Sequence, residues 1–432
     1  MRPDLTHRPV LSFLLLAALA CEPSSIPEEK TPAGWKGTMV EEGPILTVRT
    51  TSGSVWGGEG RLIEMAAIGT ETRGENDLLG RVMGMDATAD RIFVADGIFV
   101  MVRVYDMAGD HVMNIGRHGG GPGEFYSITD LGIDPMREQL VIREGSGALH
   151  RLTLSGEYVG TLRPHLSGGL WGTELLLRVT REGVPLVRHM SFRINPDADP
   201  PVVHTTALFT IDSTGTVTDS LDMPMHEEDE FSLRAQAGEG TYKPLSVPFG
   251  PRDVWSITWD GAIIWGNSSE YRFEIRYPDG RQTVFEREAD PVRVRPEELE
   301  AAERRVYGIM QGVQPGWAWN GPGIPDTKPF YSAIFPDRTG RLWVLREGEG
   351  RPVEGWTAPD DWKEWEPNPG WVPDRWFEVF EEKTGRYLGR VVVPEGFVSE
   401  PEPVIEGNTF ICLTEDEFGR PIVRRYRLDL PA

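Results

Sequence analysis

NIGRHGGGPGEF, Asn114 to Phe125, is the stretch of this 432-residue chain whose residue types most suggest chemistry. Its clustered glycines lie between Arg117 and Glu124, as in loops whose backbone N–H groups converge on phosphate. A nucleotide-binding loop of that kind needs Gly-x4-Gly-Lys and then Ser or Thr where a helix begins. Pro122, Gly123 and Glu124 occupy those places here, no helical pattern follows, and a carboxylate repels phosphate. The dinucleotide alternative fails as well, because no strand–glycine–helix unit surrounds the loop. The stretch therefore reads as a joint between elements, in which glycine supplies positive φ, and a second Gly-Pro-Gly at Gly321–Gly323 reads the same way. Arg117, Glu124 and the N–H groups of the loop stay as candidates for holding an anion or carbonyl at a rim.

Other chemistry-bearing residues are scattered. His111, His118, His150, His165, His189, His204 and His226 show no metal-ligand spacing. HEEDE, His226 to Glu230, reads as a solvated acidic run, and no Gly-x-Ser-x-Gly elbow presents a serine nucleophile. Whether polar residues converge depends on the elements that carry them.

Those elements are short strands in a recurring order. RIFVAD (91–96), VRVYD (102–106), a MAGD turn and HVMNIG (111–116) form one three-strand unit. The same grammar returns at 139–162, at 262–287 and at 341–393. Period-two alternation, β-branched and aromatic residues, and Gly or Asp at the turns mark antiparallel strands. DPMREQLVIREG (Asp134–Gly145) lies without gaps over DRTGRLWVLREG (Asp337–Gly348), each preceded by Phe-Tyr-Ser. A more irregular unit at 173–222 and a last one from NTFICLTED to PIVRRYRL bring the number to six. The last lacks an outer strand, which RLIEMAAIG (61–69) is expected to supply, closing a ring and removing exposed edges. The predicted fold is all-β, a single six-bladed β-propeller over 55–432, with seven blades as the alternative.

With the units laid out, VYDMAGDHVMNIGRHGGGPGEF resembles the signature of bacterial extracytoplasmic six-bladed propellers related to NHL repeats. In that family a blade ends in a Gly-Arg, Gly-rich, Gly-Pro-Gly-Glu-aromatic turn. The matching positions are Gly116, Arg117, Gly119, Gly121, Pro122, Gly123, Glu124 and Phe125, within a likeness that covers about 55–430. The resemblance implies a propeller and an envelope location, and says little of activity.

A propeller gathers the ends of its second strands on one face, around the central channel. Here that rule groups Asp96, Arg143, Glu144, Asn267, Arg346, Glu347, Glu415 and Asp416. Such a ring serves either as blade-to-blade ion pairs or as a mouth for a polar ligand or a divalent cation. Asp96, Asn267 and Glu415 have the ligand types for Ca2+, and no other cofactor is expected. Two insertions emerge on the same face. In 289–329, RPEELEAAERRVYGIM predicts a short helix laid on the propeller, with Pro296 at its first position and Leu299, Ala302, Val306 and Met310 along one side. In 348–374, Trp356, Trp362, Trp365 and Trp371 lie among seven acids and two bases. They form either a capping satellite core or a surface that stacks on a sugar or cages a cation.

Arg2, Arg8 and the apolar run Val10–Ala20 mark residues 1–20 as a signal peptide, too short to span a bilayer. LLLAALAC resembles a bacterial lipoprotein cleavage site, which makes Cys21 the lipidation site, with a plainly secreted protein as the alternative. Residues 21–54 then read as a tether and linker. Cys412 is left as a lone buried cysteine, without an intrachain disulfide. The net charge of −23 argues against nucleic acid and anionic membrane surfaces as partners, so membrane contact is expected only through the lipid. The resulting expectation is a monomeric, non-catalytic envelope protein that binds a small molecule, a glycan or an envelope protein, with a saccharide or a cationic component favoured. The alternative is a metal-dependent hydrolase or lyase of the NHL or lactonase-like propeller type, working from the same mouth.

Overall fold

The computed structural model describes residues 34–70, 78–164, 177–194, 202–222, 231–238, 241–352 and 371–431. Cys21, Trp356, Trp362, Trp365, His165 and the acidic run His226–Glu230 lie outside the described residues.

Six antiparallel blades follow one another along the chain. The first consists of Val82–Ala87, Arg91–Asp96, Met101–Asp106 and His111–Ile115, in order from the channel outward. The second is Asp130–Asp134, Gln139–Arg143, Leu149–Thr153 and Tyr158–Leu162. The third is Leu177–Val179, Pro185–Ile194, Val202–Ile211 and Val217–Asp222. Asp253–Ile257, Ile263–Asn267, Arg272–Arg276 and Gln282–Arg287 make the fourth. The fifth is Ala333–Pro336, Arg341–Pro352, Trp371–Glu381 and Tyr387–Val392. In the sixth, Thr409–Glu415 and Pro421–Asp429 are completed from the start of the chain by Glu59–Ile68, with Ile68 opposite Val423 and Arg61 opposite Asp429. The ring thus closes through the strand expected from 61–69, and its sheets gain no free edge at the seam.

The inner strand of the sixth blade is broken. Phe397–Val398 and Val404–Glu406 both pair with Thr409–Glu415, while Ser399–Pro403 leaves the sheet. Pro401 and Pro403 have no N–H to donate to a ladder, which explains the break.

Blades pack through aromatic side chains on their facing surfaces. Phe273, Phe285, Tyr331 and Phe380 are fully buried between the fourth and fifth, and Trp343, Phe377 and Phe410 between the fifth and sixth. Each such side chain stabilises by about 1.5–3 kcal/mol. Cys412 is fully buried in the second of these clusters, and burial raises its thiol well above the usual range.

One expectation is corrected. Residues 36–52, within the span read as a tether, form a hairpin of Lys36–Glu42 and Ile45–Ser52. It runs parallel to Gln282–Arg287, with Ile45 opposite Gln282 and Thr50 opposite Arg287, and widens the fourth blade to six strands. Trp35 anchors it by donating from Nε1 to Thr50 Oγ1 at 3.0 Å. The helix, Pro296–Val313, does begin with Pro296. Its buried Val306 and Met310 pack against Leu233 and Ala235 of a separate hairpin, Ser232–Gly238 with Thr241–Ser246, and against Trp317, while Glu298 in its first turn is tied through Lys328 to Gly348 of the fifth blade. Leu299 and Ala302 remain partly exposed. Both hairpins carry enough charged and polar residues to hide their alternation from a sequence reading.

Candidate ligand site at the channel mouth

The glycine loop folds around its own side chains. Glu124 accepts hydrogen bonds from the Gly121 N–H at 2.9 Å and from Arg117 Nε and Nη2 at 2.8 and 2.6 Å. These donors, the backbone N–H foremost, hold the Glu124 carboxyl below its usual range. The anion position of the loop is thereby taken by Glu124 itself. Phe125 turns inward, is fully buried, and meets the edge of the His150 ring at 5.1 Å. Gly116, at φ 76°, lies so close that a Cβ there would sit 2.2 Å from the Phe125 ring. Gly321–Gly323 is not an equivalent joint, because Gly321 is pressed against Ser232 and Leu233 of the hairpin under the helix.

The residues grouped by the second-strand rule lie at one end of the channel, but few of them face it. Asp96 is fully buried and accepts from the N–H groups of Gly80, Arg81, Ile98 and Phe99 and from Arg103 Nε at 3.2 Å. Asn267 donates to Asp253 Oδ1 at 2.9 Å, and Asp416 is held by Arg420 at 2.7 Å. Glu415 is exposed in the channel wall. Among the described residues, no group of three or more His, Cys, Asp or Glu is arranged to hold a metal ion. The two equivalent Arg-Glu dipeptides also diverge. Arg143 and Glu347 line the channel. Glu144 is buried, accepting from Tyr126 N–H and Ser146 Oγ at 2.8 and 2.6 Å. Arg346 is buried against Glu378 and over the Tyr271 ring. Trp371 begins the long return strand of the fifth blade, opposite Pro352.

What the channel contains was largely missed from sequence. Its volume is about 1370 Å3, and all six blades contribute to the wall. Among the described residues, seven arginines and seven carboxylates line it, a balanced set in a chain of net charge −23. Glu402, on the segment expelled from the sixth blade, forms an ion pair with Arg178 of the third and accepts from Ser256 Oγ of the fourth at 3.4 Å. Arg338 of the fifth blade pairs with Asp86 of the first and donates to Ala87 O at 2.9 Å. Asp86 also accepts from Ile133 N–H at 2.7 Å, tying the first blade to the second.

Asp130 repeats that tie one blade on, accepting from Leu177 N–H of the third blade and from its neighbour Leu131 N–H, both at 2.8 Å. Burial in the wall pushes its carboxyl up to about 7 despite these donors and the charges of Arg178 and Arg143. Arg143 is itself pushed down to about 10 by burial. The one signal that could have exposed this wall is the acid-proline alternation SEPEP, 399–403, interrupting a strand pattern.

The fold defined by these blades agrees with the comparisons. The profile of a family described as a 6-bladed beta-propeller, DUF5128, matches residues 60–167, which span the closing strand and the first two blades. A crystal structure of a DUF4221 family member from Bacteroides vulgatus is similar over 86% of this chain and 99% of its own, with 9% identity and a TM-score of 0.50. Virginiamycin B lyase from Staphylococcus aureus covers 86% of this chain and 100% of its own at 10% identity, with a TM-score of 0.38. No curated protein matches the sequence. The chain is a six-bladed β-propeller.

Proposed function

We propose that the protein is a non-catalytic binding protein of the cell envelope that holds a polar ligand, a saccharide foremost, at the mouth of its channel. The observation that carries this reading is the balanced wall of arginines and carboxylates. Guanidinium donors and carboxylate acceptors presented together suit a ligand rich in hydroxyl groups, each of which donates and accepts. The same balance gives a cationic component less support than the acidic composition did. Trp255, in the wall beneath Arg188 at 4.2 Å, offers an aromatic face. Trp356, Trp362, Trp365 and Trp371 are proposed to add stacking surface from the fifth blade. A glycan array on the purified chain, followed by tryptophan fluorescence titration, tests this. Arg81→Gln and Glu415→Gln, exposed positions of the wall, are expected to weaken saccharide binding about tenfold each without lowering the melting temperature. Absence of any glycan ligand overturns the reading.

A hydrolase or lyase working from the same mouth is the second reading, and Asp130 is the observation in its favour. A carboxyl near 7 between two arginines is suited to proton transfer. Turnover abolished by Asp130→Asn would establish it, and elemental analysis of the protein separates a metal-dependent version from a metal-free one. The envelope location rests on Cys21 as the lipidated residue, which mass spectrometry of the mature N-terminus tests. Among the described residues no helix is long and apolar enough to cross a membrane.

A further inference from the structure

Beneath the helix a second cavity, of about 260 Å3, opens beside the channel mouth. Phe249 and Arg252 approach it from the turn before the fourth blade, Tyr331 and Ser332 from the segment before the fifth, and Ala302 and Arg305, three residues apart on the helix, from above. Three features set it apart from a packing defect. Phe249 sits at φ 57°, a left-handed conformation that bulky residues avoid. The Ser332 hydroxyl is buried without a hydrogen-bond partner, whereas buried hydroxyls are nearly always bonded. Arg252 and Arg305 have no ion pair from their guanidinium groups among the described residues, while Glu347, the carboxylate of this cavity, acts on Arg375.

We infer that this chamber binds a small organic carboxylate with a compact apolar body. Two guanidinium groups present forks that match a carboxylate, and Ser332 supplies a further donor. Phe249 and Tyr331 offer apolar faces to the body of the ligand. An apolar cavity of about 150 Å3 holds benzene, so this one takes a six-membered ring bearing a carboxylate. The chain as a whole repels anions, which confines an anion's affinity to places such as this. The roof is fixed, because Lys328 Nζ donates to Glu298 Oε1 of the first helical turn and to Gly348 O, both at 2.8 Å. The inference stands whether or not the mouth takes a saccharide.

Calorimetric titration of the full chain with benzoate, and with benzamide in parallel, tests it. Benzoate is expected to bind saturably at one site, and benzamide at least tenfold more weakly. Arg252→Gln and Arg305→Gln, both at exposed positions, each weaken benzoate about tenfold. Ala302→Trp fills the chamber and abolishes binding. Failure of wild-type protein to bind benzoate, equal binding of benzamide, or benzoate binding unchanged in Arg252→Gln and Arg305→Gln overturns the inference. The two arginine variants carry the test even where the tryptophan disturbs the helix.

Discussion

Glu402 of the sixth blade is paired with Arg178 of the third, its opposite in a ring of six, so one ion pair braces the channel across its width. Both side chains are about four-fifths buried, with relative exposures of 20% and 24%. Removing either partner leaves the other charge poorly solvated. Glu402→Gln and Arg178→Gln are each expected to destabilise the protein by about 1–3 kcal/mol in chemical denaturation. The double variant should lose less than the sum of the two. Strict additivity would show that the pair contributes nothing across the channel.

Asp130 makes stability depend on pH. Its folded value, about 7, lies above the roughly 3.9 of an unfolded aspartate. Below about pH 4 both states are protonated and the group imposes no cost. Between about 4 and 7 the unfolded chain releases the proton first, so stability falls as pH rises, and it levels off above 7. The stability of wild type relative to Asp130→Asn is therefore expected to decline by on the order of 3–4 kcal/mol across that window. Parallel denaturation curves for the two proteins at pH 4, 5.5 and 7 check this.

Within the glycine loop the cost of alanine should follow geometry rather than position in the motif. Gly123, at φ 76° and with room for a Cβ in ordinary contact with Tyr158 and Leu152 at 3.8 and 3.9 Å, is expected to lose about 1 kcal/mol on substitution by Ala. Gly116→Ala loses more, since its Cβ would enter the Phe125 ring. Gly121 is not in the left-handed region, and its nearest neighbour is the end of the Glu124 side chain at 3.1 Å rather than backbone, so Gly121→Ala should be the mildest. Equal losses at all three positions would contradict this account.

Lys328 and Glu298 form a buried pair, exposed by 1% and 6%. Lys328→Met leaves a carboxylate unpaired at the helix start and is expected to cost about 3–5 kcal/mol. Glu298→Gln should cost less, because a glutamine can still accept from the Arg295 N–H that Glu298 now caps at 3.1 Å. Thermal unfolding of the two variants distinguishes the cases.

Much of the architecture was legible because strands write themselves in alternation and turns in glycine and aspartate. The alignment of Asp134–Gly145 over Asp337–Gly348 and the helix beginning at Pro296 follow from such local patterns, and the incomplete last unit pointed to 61–69 as its outer strand. The hairpin at 36–52 was not, because its burial depends on a blade more than 230 residues away along the chain.

By itself, then, the order of residues pointed to the kind of fold, to six blades with seven as the alternative, and to the glycine joint, because the strands and turns of each unit are written by neighbours in the chain. Which polar residues face the channel was decided only by the tertiary structure. Arg143 and Arg346 stand at the same place in aligned repeats and both are buried, yet Arg143 borders the channel beside Asp130 while Arg346 is drawn to Glu378, because the third strand carries Glu378 in the fifth blade where it carries Arg151 in the second. Glu402 meets Arg178 for a related reason: ring closure sets opposite blades face to face, and a segment that two prolines bar from the sheet bridges the space between them.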